Sequence, residues 1–365
     1  MNIAIIGTRG IPNNYGGFEQ FAEYLSTGLS ERGHSVSVYN SHNHLFQHSK
    51  WNNIDIVHCF DPEYLLGTFG QFIYDFNCIL DARKKHFDII LQLGYTSSSI
   101  WSFLFPKKSK VITNMDGLEW KRTKYSKPVR NFLKYAEKLA VKNSHLLISD
   151  SIGIQNYLKN EYKIKSTFIP YAAVPFIAVN SLLIDGFDVK PYEYDLLIAR
   201  MEEENNIETI LEGVRKAKIN RKFLVIGSHK NSHGQYLKKK FESILSIRFI
   251  GAVYDLHALN NLRYFSNLYF HGHSVGGTNP SLLEAMASCA LICAHRNVFN
   301  LSVVENDAYY FECSKDVADI LQKIRKDDSE KNKIDNNARK IAEVYNWKKV
   351  IDQHEQLFLS ILSKK

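Results

Sequence analysis

Thirteen short apolar runs punctuate this chain, and segments of helical period lie between them. In the first half the runs are NIAIIG at the start, SVSVYN (35–40), IDIVHCF (54–60), FDIILQLG (87–94), KVITNMDG (110–117), HLLISDS (145–151) and STFIPYA (166–172). The second half begins afresh with YDLLIAR (194–200), KFLVIGS (222–228), IRFIGAV (247–253), NLYFHGH (267–273), ALICAHR (290–296) and AYYFEC (308–313). Helical patterns cover Gly17–Arg32, Lys127–Lys142, Glu208–Ala217 and Pro280–Ser288. Runs of this length, apolar on both faces and separated by helices, predict parallel sheets covered by helices. The pattern lapses between about 174 and 192, where VPFIAVNSLLIDGFDVKPY has no clean period. The expectation is an α/β chain of two doubly wound, Rossmann-like domains, 1–180 and 190–345, facing each other across a cleft. A chain of 365 residues is long enough for two. The last helix, from Trp347, carries Val350, Ile351, Leu357, Phe358, Ile361 and Leu362, and is expected to pack back on the first domain.

Several function classes are disfavoured at once. MNIAIIG lacks a basic n-region and a long apolar run, so it reads as a strand rather than a leader. The longest uncharged run, 89–106, contains Gln, Gly, Thr and three Ser, and reads as strand, loop and short helix. The five cysteines show no CxxC spacing, which argues against a zinc site and for a reducing compartment. No metal site is expected.

The loop GTRGIPNNYGGFE lies between the first strand and the first helix. Gly7, Gly10, Gly16 and Gly17 remove Cβ atoms where a ligand could approach backbone beside a helix N-terminus. The loop is neither GxxxxGK[ST] nor GxGxxG, so P-loop and dinucleotide fingerprints are both absent. A tight strand-to-helix turn is the plainer reading of the same glycines. The second half repeats the arrangement in HGHSVGGTNPSLLEAM (271–286), with Gly277 and Thr278 in the loop. Asn279 is expected to cap a helix opening at Pro280 and Ser281, whose first N–H groups would hold a diphosphate. Glu284, one turn in, either accepts hydrogen bonds from a ribose diol or complements the helix dipole.

GTRGIPNNYGGFE, ERGHSVSVYN, MDGLEWKR (115–122), ARMEEENN (199–206) and GHSVGGTNPSLLEAM (272–286) together resemble the glycosyltransferase family 4 enzymes. More narrowly, they resemble a bacterial rhamnosyltransferase-like branch that begins GTRGIP. The resemblance implies a GT-B fold, retention of anomeric configuration and no cofactor or metal, the nucleotide-diphosphate sugar being a substrate. It implies Arg200 as the diphosphate clamp, since guanidinium forks match phosphate oxygens. Donor contacts would come from Gly16, Gly17, Gly277, Thr278, Asn279, Pro280, Ser281 and Glu284. Asp116, where many relatives carry histidine, and then Glu119, are candidates to position or deprotonate the acceptor. Trp120 would stack on an acceptor sugar or fill the core, and His273 would face the site or serve structure.

Two departures from the family pattern stand out. Asn205 and Asn206 occupy the place of a second cation, which is then missing or comes from elsewhere, such as Arg9 or Lys121. Gly276 replaces a glutamate that usually meets the sugar ring, which fits a deoxysugar donor.

Net charge is +8, and the excess is uneven. Lys121, Arg122, Lys124, Lys127, Arg130, Lys134, Lys138 and Lys142 stand against one acid, Glu137. This segment is read as a solvated helix face or as a surface for anionic lipid, each basic residue near a membrane adding about 1 kcal/mol. The aromatic interleaving of single-strand binders is weak, and nucleic acid is not an expected partner. The expectation is a cytoplasmic enzyme, peripheral at the inner face of the cell membrane. It would transfer L-rhamnose from dTDP-rhamnose to a lipid-linked saccharide in bacterial surface polysaccharide biosynthesis. A glycosyltransferase with another UDP- or GDP-sugar donor is the nearest rival, and a non-catalytic nucleotide-sugar-binding protein is the competing class.

Overall fold

The computed structural model describes residues 1–14, 16–122 and 125–363. All thirteen apolar runs contain strands. They are β1 (Asn2–Ile6), β2 (Ser35–Ser41), β4 (Ile54–Cys59), β5 (Ile89–Leu93), β6 (Lys110–Asn114), β7 (Leu146–Ser149) and β8 (Thr167–Phe168) in the first half. The second half holds β9 (Tyr194–Ile198), β10 (Lys222–Ile226), β11 (Ile247–Gly251), β12 (Leu268–His271), β13 (Ile292–His295) and β14 (Tyr309–Phe311). The sequence reading missed β3 (Lys50–Trp51), two residues paired antiparallel to β4 and too short to carry a period. The chain packs as two Rossmann-like units. Residues 1–121, 125–171 and 347–365 form the first, and Arg122 with 172–346 falls in the second.

In the first unit the sheet order is β3-β4-β2-β1-β5-β6-β7-β8, parallel except for β3. The chain winds outward from β1 in both directions, so the loops after β1 and β5 end at a topological switch point, where such sheets bind ligands. Ala4, Ile6, Ile90 and Val111 pack on Cys78, Ile79 and Ala82 of helix Gly70–Lys84. On the other side of the chain's first helix, Gly17–Glu31, lies the terminal helix Trp347–Ser363. Tyr24 stacks on Trp347 with ring centroids 4.4 Å apart. A Cβ on Gly28 would meet Ile351 Cδ1 at 2.3 Å, so the two helices touch at backbone range there. Arg32 pairs with both Asp352 and Glu355, and His34 Nε2 lies 2.7 Å from Glu355.

The terminal helix has a pH-dependent anchor. His354 is fully buried between the rings of Phe21 and Phe358, its Nδ1 2.8 Å from the Val350 carbonyl. Burial pushes its imidazole down to about 4, from an ordinary 6.5. The unfolded chain therefore binds a proton that the folded one refuses, and stability falls as pH drops from about 6.5 towards about 4. At about 1.4 kcal/mol per pH unit, the step from pH 7 to pH 5 costs about 2 kcal/mol. His354→Leu is expected to shrink the pH 7-to-5 loss by about that amount, read from urea unfolding at both pH values. An unchanged loss would refute the assignment.

In the second unit the order is β11-β10-β9-β12-β13-β14, all parallel. The switch point lies between β9 and β12, the first and fourth strands of the unit. Leu197, Val225, Phe270 and Cys293 pack on Ile210, Leu211 and Val214 of helix Ile207–Ala217 and on Val317 and Leu321. Residues 174–192 are bonded into this unit. Phe176 N donates to the Ala287 carbonyl, Asn180 N to Asn261 Oδ1 and Tyr192 N to the Phe265 carbonyl. The passage between units thus falls after Tyr171, not at 180–190.

Candidate functional site

In the second unit, Arg200 follows β9 and the loop from Gly272 follows β12, so both stand at the switch point. Arg200 is exposed, and no carboxylate among the described residues is paired with it. The backbone under it is locked. Asn205 Nδ2 donates to the Arg200 carbonyl at 2.7 Å, and Asn206 Nδ2 donates to the Gly272 carbonyl at 2.8 Å. Ser274 donates to the Glu204 carbonyl through both its N–H (3.0 Å) and its hydroxyl (2.8 Å). A Cβ on Gly272 would lie 1.9 Å from the Asn205 carbonyl oxygen, so only glycine lets these loops meet. Asn205 and Asn206, noted in the sequence for lacking a cation, are the pins that join the loop after β9 to the loop after β12.

Helix Pro280–Ala287 opens as expected, with Asn279 as its cap. Its first-turn N–H groups are nonetheless taken. Ser281 N donates to Asn279 Oδ1 at 2.9 Å, and Leu282 N and Leu283 N donate to the Asn279 carbonyl. The Ser281 hydroxyl bonds the Tyr269 hydroxyl at 2.8 Å. An anion here would therefore meet the dipole of the helix and the backbone of the loop holding Gly277 and Thr278, rather than the Ser281 N–H. Glu284 accepts from the buried Arg263 at 2.5 Å, a partner 21 residues away that no local pattern reveals. One of its oxygens is thereby committed.

His271 and His273 stack with centroids 4.5 Å apart, and both ring nitrogens of His271 are buried without a hydrogen-bond partner among the described residues. Burial, then the charges of Arg200 and Arg122, push His273 down to about 3. It is a neutral imidazole at ordinary pH. Arg122 is a cation that sequence reading left out of the site. It pairs with the buried Glu204 at 3.0 Å. The two alternatives proposed for a second cation belong to the first unit, where Arg9 forks onto Glu63 at 2.8 and 2.7 Å and Lys121 Nζ lies 5.5 Å from the Trp120 ring centroid.

In the first unit, Gly16 caps helix Gly17–Glu31 and its carbonyl accepts from Gln20 N. Glu19, three residues on, folds back and accepts from Arg9 N at 2.8 Å and the Thr8 hydroxyl at 3.2 Å. Its other oxygen lies 3.3 Å from where a Gly16 Cβ would be. The backbone at Gly16 and Gly17 is approachable, as expected, but a carboxylate already stands beside it. An acid three residues after a helix cap was the visible signal for this.

Asp116 follows β6 at φ +46°, a left-handed conformation that aspartate tolerates, with its N–H donating to Asn114 Oδ1 at 3.2 Å. Burial pushes the Tyr171 phenol far up, and the charges of Asp116, Asp150 and Glu19 add to the effect. Glu119 opens a short 3₁₀ turn, Glu119–Lys121, and is half-buried.

Trp120 turns out to be structural. Its Nε1 donates to Glu137 at 3.1 Å. Glu137 is 1% exposed and also accepts from Tyr95 (3.3 Å), Tyr157 (2.7 Å), Tyr162 (2.5 Å) and Lys134 (3.0 Å). Lys134 therefore points inward, not to the exposed basic face. Arg130 donates to the Trp120 carbonyl. Lys127, Lys138 and Lys142 remain exposed, and Lys124 lies outside the described residues. No helix among the described residues is long and apolar enough to cross a membrane.

Comparison with known proteins matches these two units to two family models. Residues 1–174 match DUF1972, a domain of unknown function, and residues 189–341 match glycosyl transferases group 1. No curated protein matches the chain. Among solved structures, sucrose-phosphate synthase from Thermosynechococcus elongatus is similar over 100% of both chains, with 17% identity and a TM-score of 0.82. A glycosyltransferase from Rickettsia africae is 16% identical over 100% of this chain and 98% of its own, at a TM-score of 0.73. HepE from Anabaena, in complex with UDP and glucose, is 14% identical over 99% of this chain and 100% of its own, at 0.75. At such identities these structures speak for the fold, which is that of GT-B enzymes. The chain joins a DUF1972 domain to a glycosyl transferases group 1 domain, and it is a glycosyltransferase.

Proposed function

We propose that the protein is a retaining glycosyltransferase that moves L-rhamnose from dTDP-rhamnose to a lipid-linked saccharide, at the inner face of a bacterial membrane, in surface polysaccharide biosynthesis. The observation that carries the transfer chemistry is the uncommitted Arg200 at the β9/β12 switch point, beside the helix capped by Asn279. A sugar–diphosphate bond breaks with negative charge building on the departing phosphate. On this reading no metal is required, because Arg200 and the dipole of helix Pro280–Ala287 stabilise that charge. Gly277 and Thr278 bring loop backbone to the diphosphate, and the second oxygen of Glu284 faces the ribose. Gly16 and Gly17 admit the sugar to the first unit's backbone. Asp116 positions the acceptor hydroxyl, with Glu119 next in rank, while the leaving phosphate takes the proton.

The choice of a deoxysugar rests on Gly276 and on the sequence resemblance. Among the described residues, its chain neighbours aside, no heavy atom lies within 4 Å of where a Gly276 side chain would begin. The position therefore offers no carboxylate to a sugar hydroxyl, which favours a donor that has fewer of them. A second reading, a UDP-sugar donor, is favoured by the UDP and glucose in HepE.

Thermal-shift titration against dTDP, UDP and GDP, with and without magnesium, tests both. A nucleotide at 100 times its dissociation constant adds about 2.7 kcal/mol of stability. The expected result is a shift with dTDP that magnesium does not alter. A shift with UDP alone replaces the donor, and no shift with any nucleotide overturns the donor site.

A further inference from the structure

The first unit carries an apolar surface built by three separate segments. The 3₁₀ turn Gly67–Phe69 and the start of helix Gly70–Lys84 contribute Phe69 and Phe72, whose rings are 5.6 Å apart. Phe72 in turn meets Phe132 of helix Lys127–Asn143 at 5.6 Å. The 3₁₀ segment Ser99–Leu104 joins them, because Trp101 Nε1 donates to the Phe72 carbonyl at 2.9 Å and Asn143 Nδ2 donates to Ser102 Oγ at 2.8 Å. The rings stay in water: Phe69 is 70% exposed and Phe103 74%. Val129 and Tyr135, three residues either side of Phe132, continue the stripe along one face of its helix. Aromatic side chains from three segments, in ring contact yet solvated, form the kind of patch that marks an interaction surface.

Charge identifies what covers it. Residues 63–72, 99–108 and 127–143 contain two carboxylates, Glu63 and Glu137. Glu63 is forked by Arg9, and Glu137 is buried under its five donors. The exposed charges of the three segments are Lys107, Lys108, Lys127, Lys138 and Lys142. An apolar centre with an all-lysine rim is complementary to anionic headgroups over acyl chains, where aromatic rings sit at the interface and lysines reach phosphate. An ordinary protein partner would favour a rim of mixed sign.

We infer that this surface inserts its rings into an anionic phospholipid bilayer, so that attachment has an apolar component as well as a charged one. The inference deepens the membrane reading above. Its test needs neither donor nor turnover. Flotation of the full chain is measured with vesicles of phosphatidylcholine alone and of phosphatidylcholine with phosphatidylglycerol, at low and high salt. The wild type should float with the anionic vesicles and keep a salt-resistant bound fraction. Phe69→Ser with Phe103→Ser should lower partitioning about tenfold or more and abolish the salt-resistant fraction. Lys107→Glu, Lys108→Glu and Lys138→Glu together should abolish binding at low salt. These side chains are exposed, and unchanged circular dichroism and melting temperature are required of both variants. Binding by either folded variant that equals wild type overturns the inference. So does a wild type that ignores vesicles but sediments as a dimer which Phe69→Ser with Phe103→Ser makes monomeric. The nucleotide shift, measured on the same variants, should be unaltered, and its loss in every protein would count against the donor reading alone.

Discussion

Arg200→Ala is expected to lower kcat/KM for the sugar nucleotide by about 10²–10³-fold, with most of the loss in kcat. An oriented donor aimed at charge that develops in the transition state is worth about 2.7–4 kcal/mol, and that is the loss when one is removed. Arg200 suits this role because its guanidinium has no carboxylate to satisfy among the described residues, whereas the other arginines of the site do: Arg122 is held by Glu204 and Arg263 by Glu284. Its backbone is held from beneath by Asn205, so truncating the side chain leaves the loop pinned. Arg200→Lys should recover little, since an ammonium presents a point charge and not a fork. Single-turnover rates with the donor nucleotide found by thermal shift would measure the effect. A tenfold loss or less, with the nucleotide shift preserved, would remove Arg200 from the chemistry. It would move the diphosphate clamp to another residue, whereas only a wild type without turnover would revive the reading of a non-catalytic nucleotide-sugar binder.

Glu137→Ala is expected to destabilise the first unit by about 3–5 kcal/mol, the usual loss when one member of a buried charge pair is deleted. Against a total stability of about 5–15 kcal/mol this is a large fraction. The deletion leaves Lys134 with Glu161, at 3.3 Å, as its remaining ion-pair partner among the described residues, and takes the shared buried acceptor from Tyr95, Tyr157, Tyr162 and the Trp120 indole. Burial and the Glu137 charge push the phenols of Tyr157 and Tyr162 far up, so both remain protonated donors. Glu137→Gln keeps the shape but turns one acceptor into a donor facing other donors, and should cost about 1–3 kcal/mol. Urea midpoints for the two variants give the comparison. A loss below about 1 kcal/mol for Glu137→Ala would mean that water replaces the carboxylate. Because Trp120 and Arg130 hang on this hub, Glu137→Ala should also disturb the turn that carries Glu119.

Much of the fold is legible in local pattern. Burial on both faces makes a parallel strand a short continuous apolar run, and thirteen such runs mark thirteen strands. Asn279 and Pro280 announce a helix start because a cap and a proline satisfy the same orphan N–H problem wherever they stand. What escaped the sequence has long separation or no period. β3 is two residues long. Residues 174–192 follow no α-helical or strand period because a 3₁₀ segment, Ser181–Phe187, stands between backbone bonds made to Ala287 and Phe265 of the second unit.

For the candidate site the division is sharper. The sequence alone determined residue types and order: a glycine loop after the first strand, Arg200 at a strand end, and a capped helix after the strand ending at His271. Tertiary structure decided which of those groups are still available. It pinned Asn205 and Asn206 between loops, tied Glu284 to Arg263, committed Arg9 to Glu63 and turned Lys134 and Trp120 inward onto Glu137. The physical reason is that a hydrogen bond or ion pair depends on distances of about 3 Å. Partners 21, 54 or 66 residues apart reach such distances only once the sheet order has placed their loops side by side. Chain pattern carries period and chemistry, and the packed sheet carries proximity.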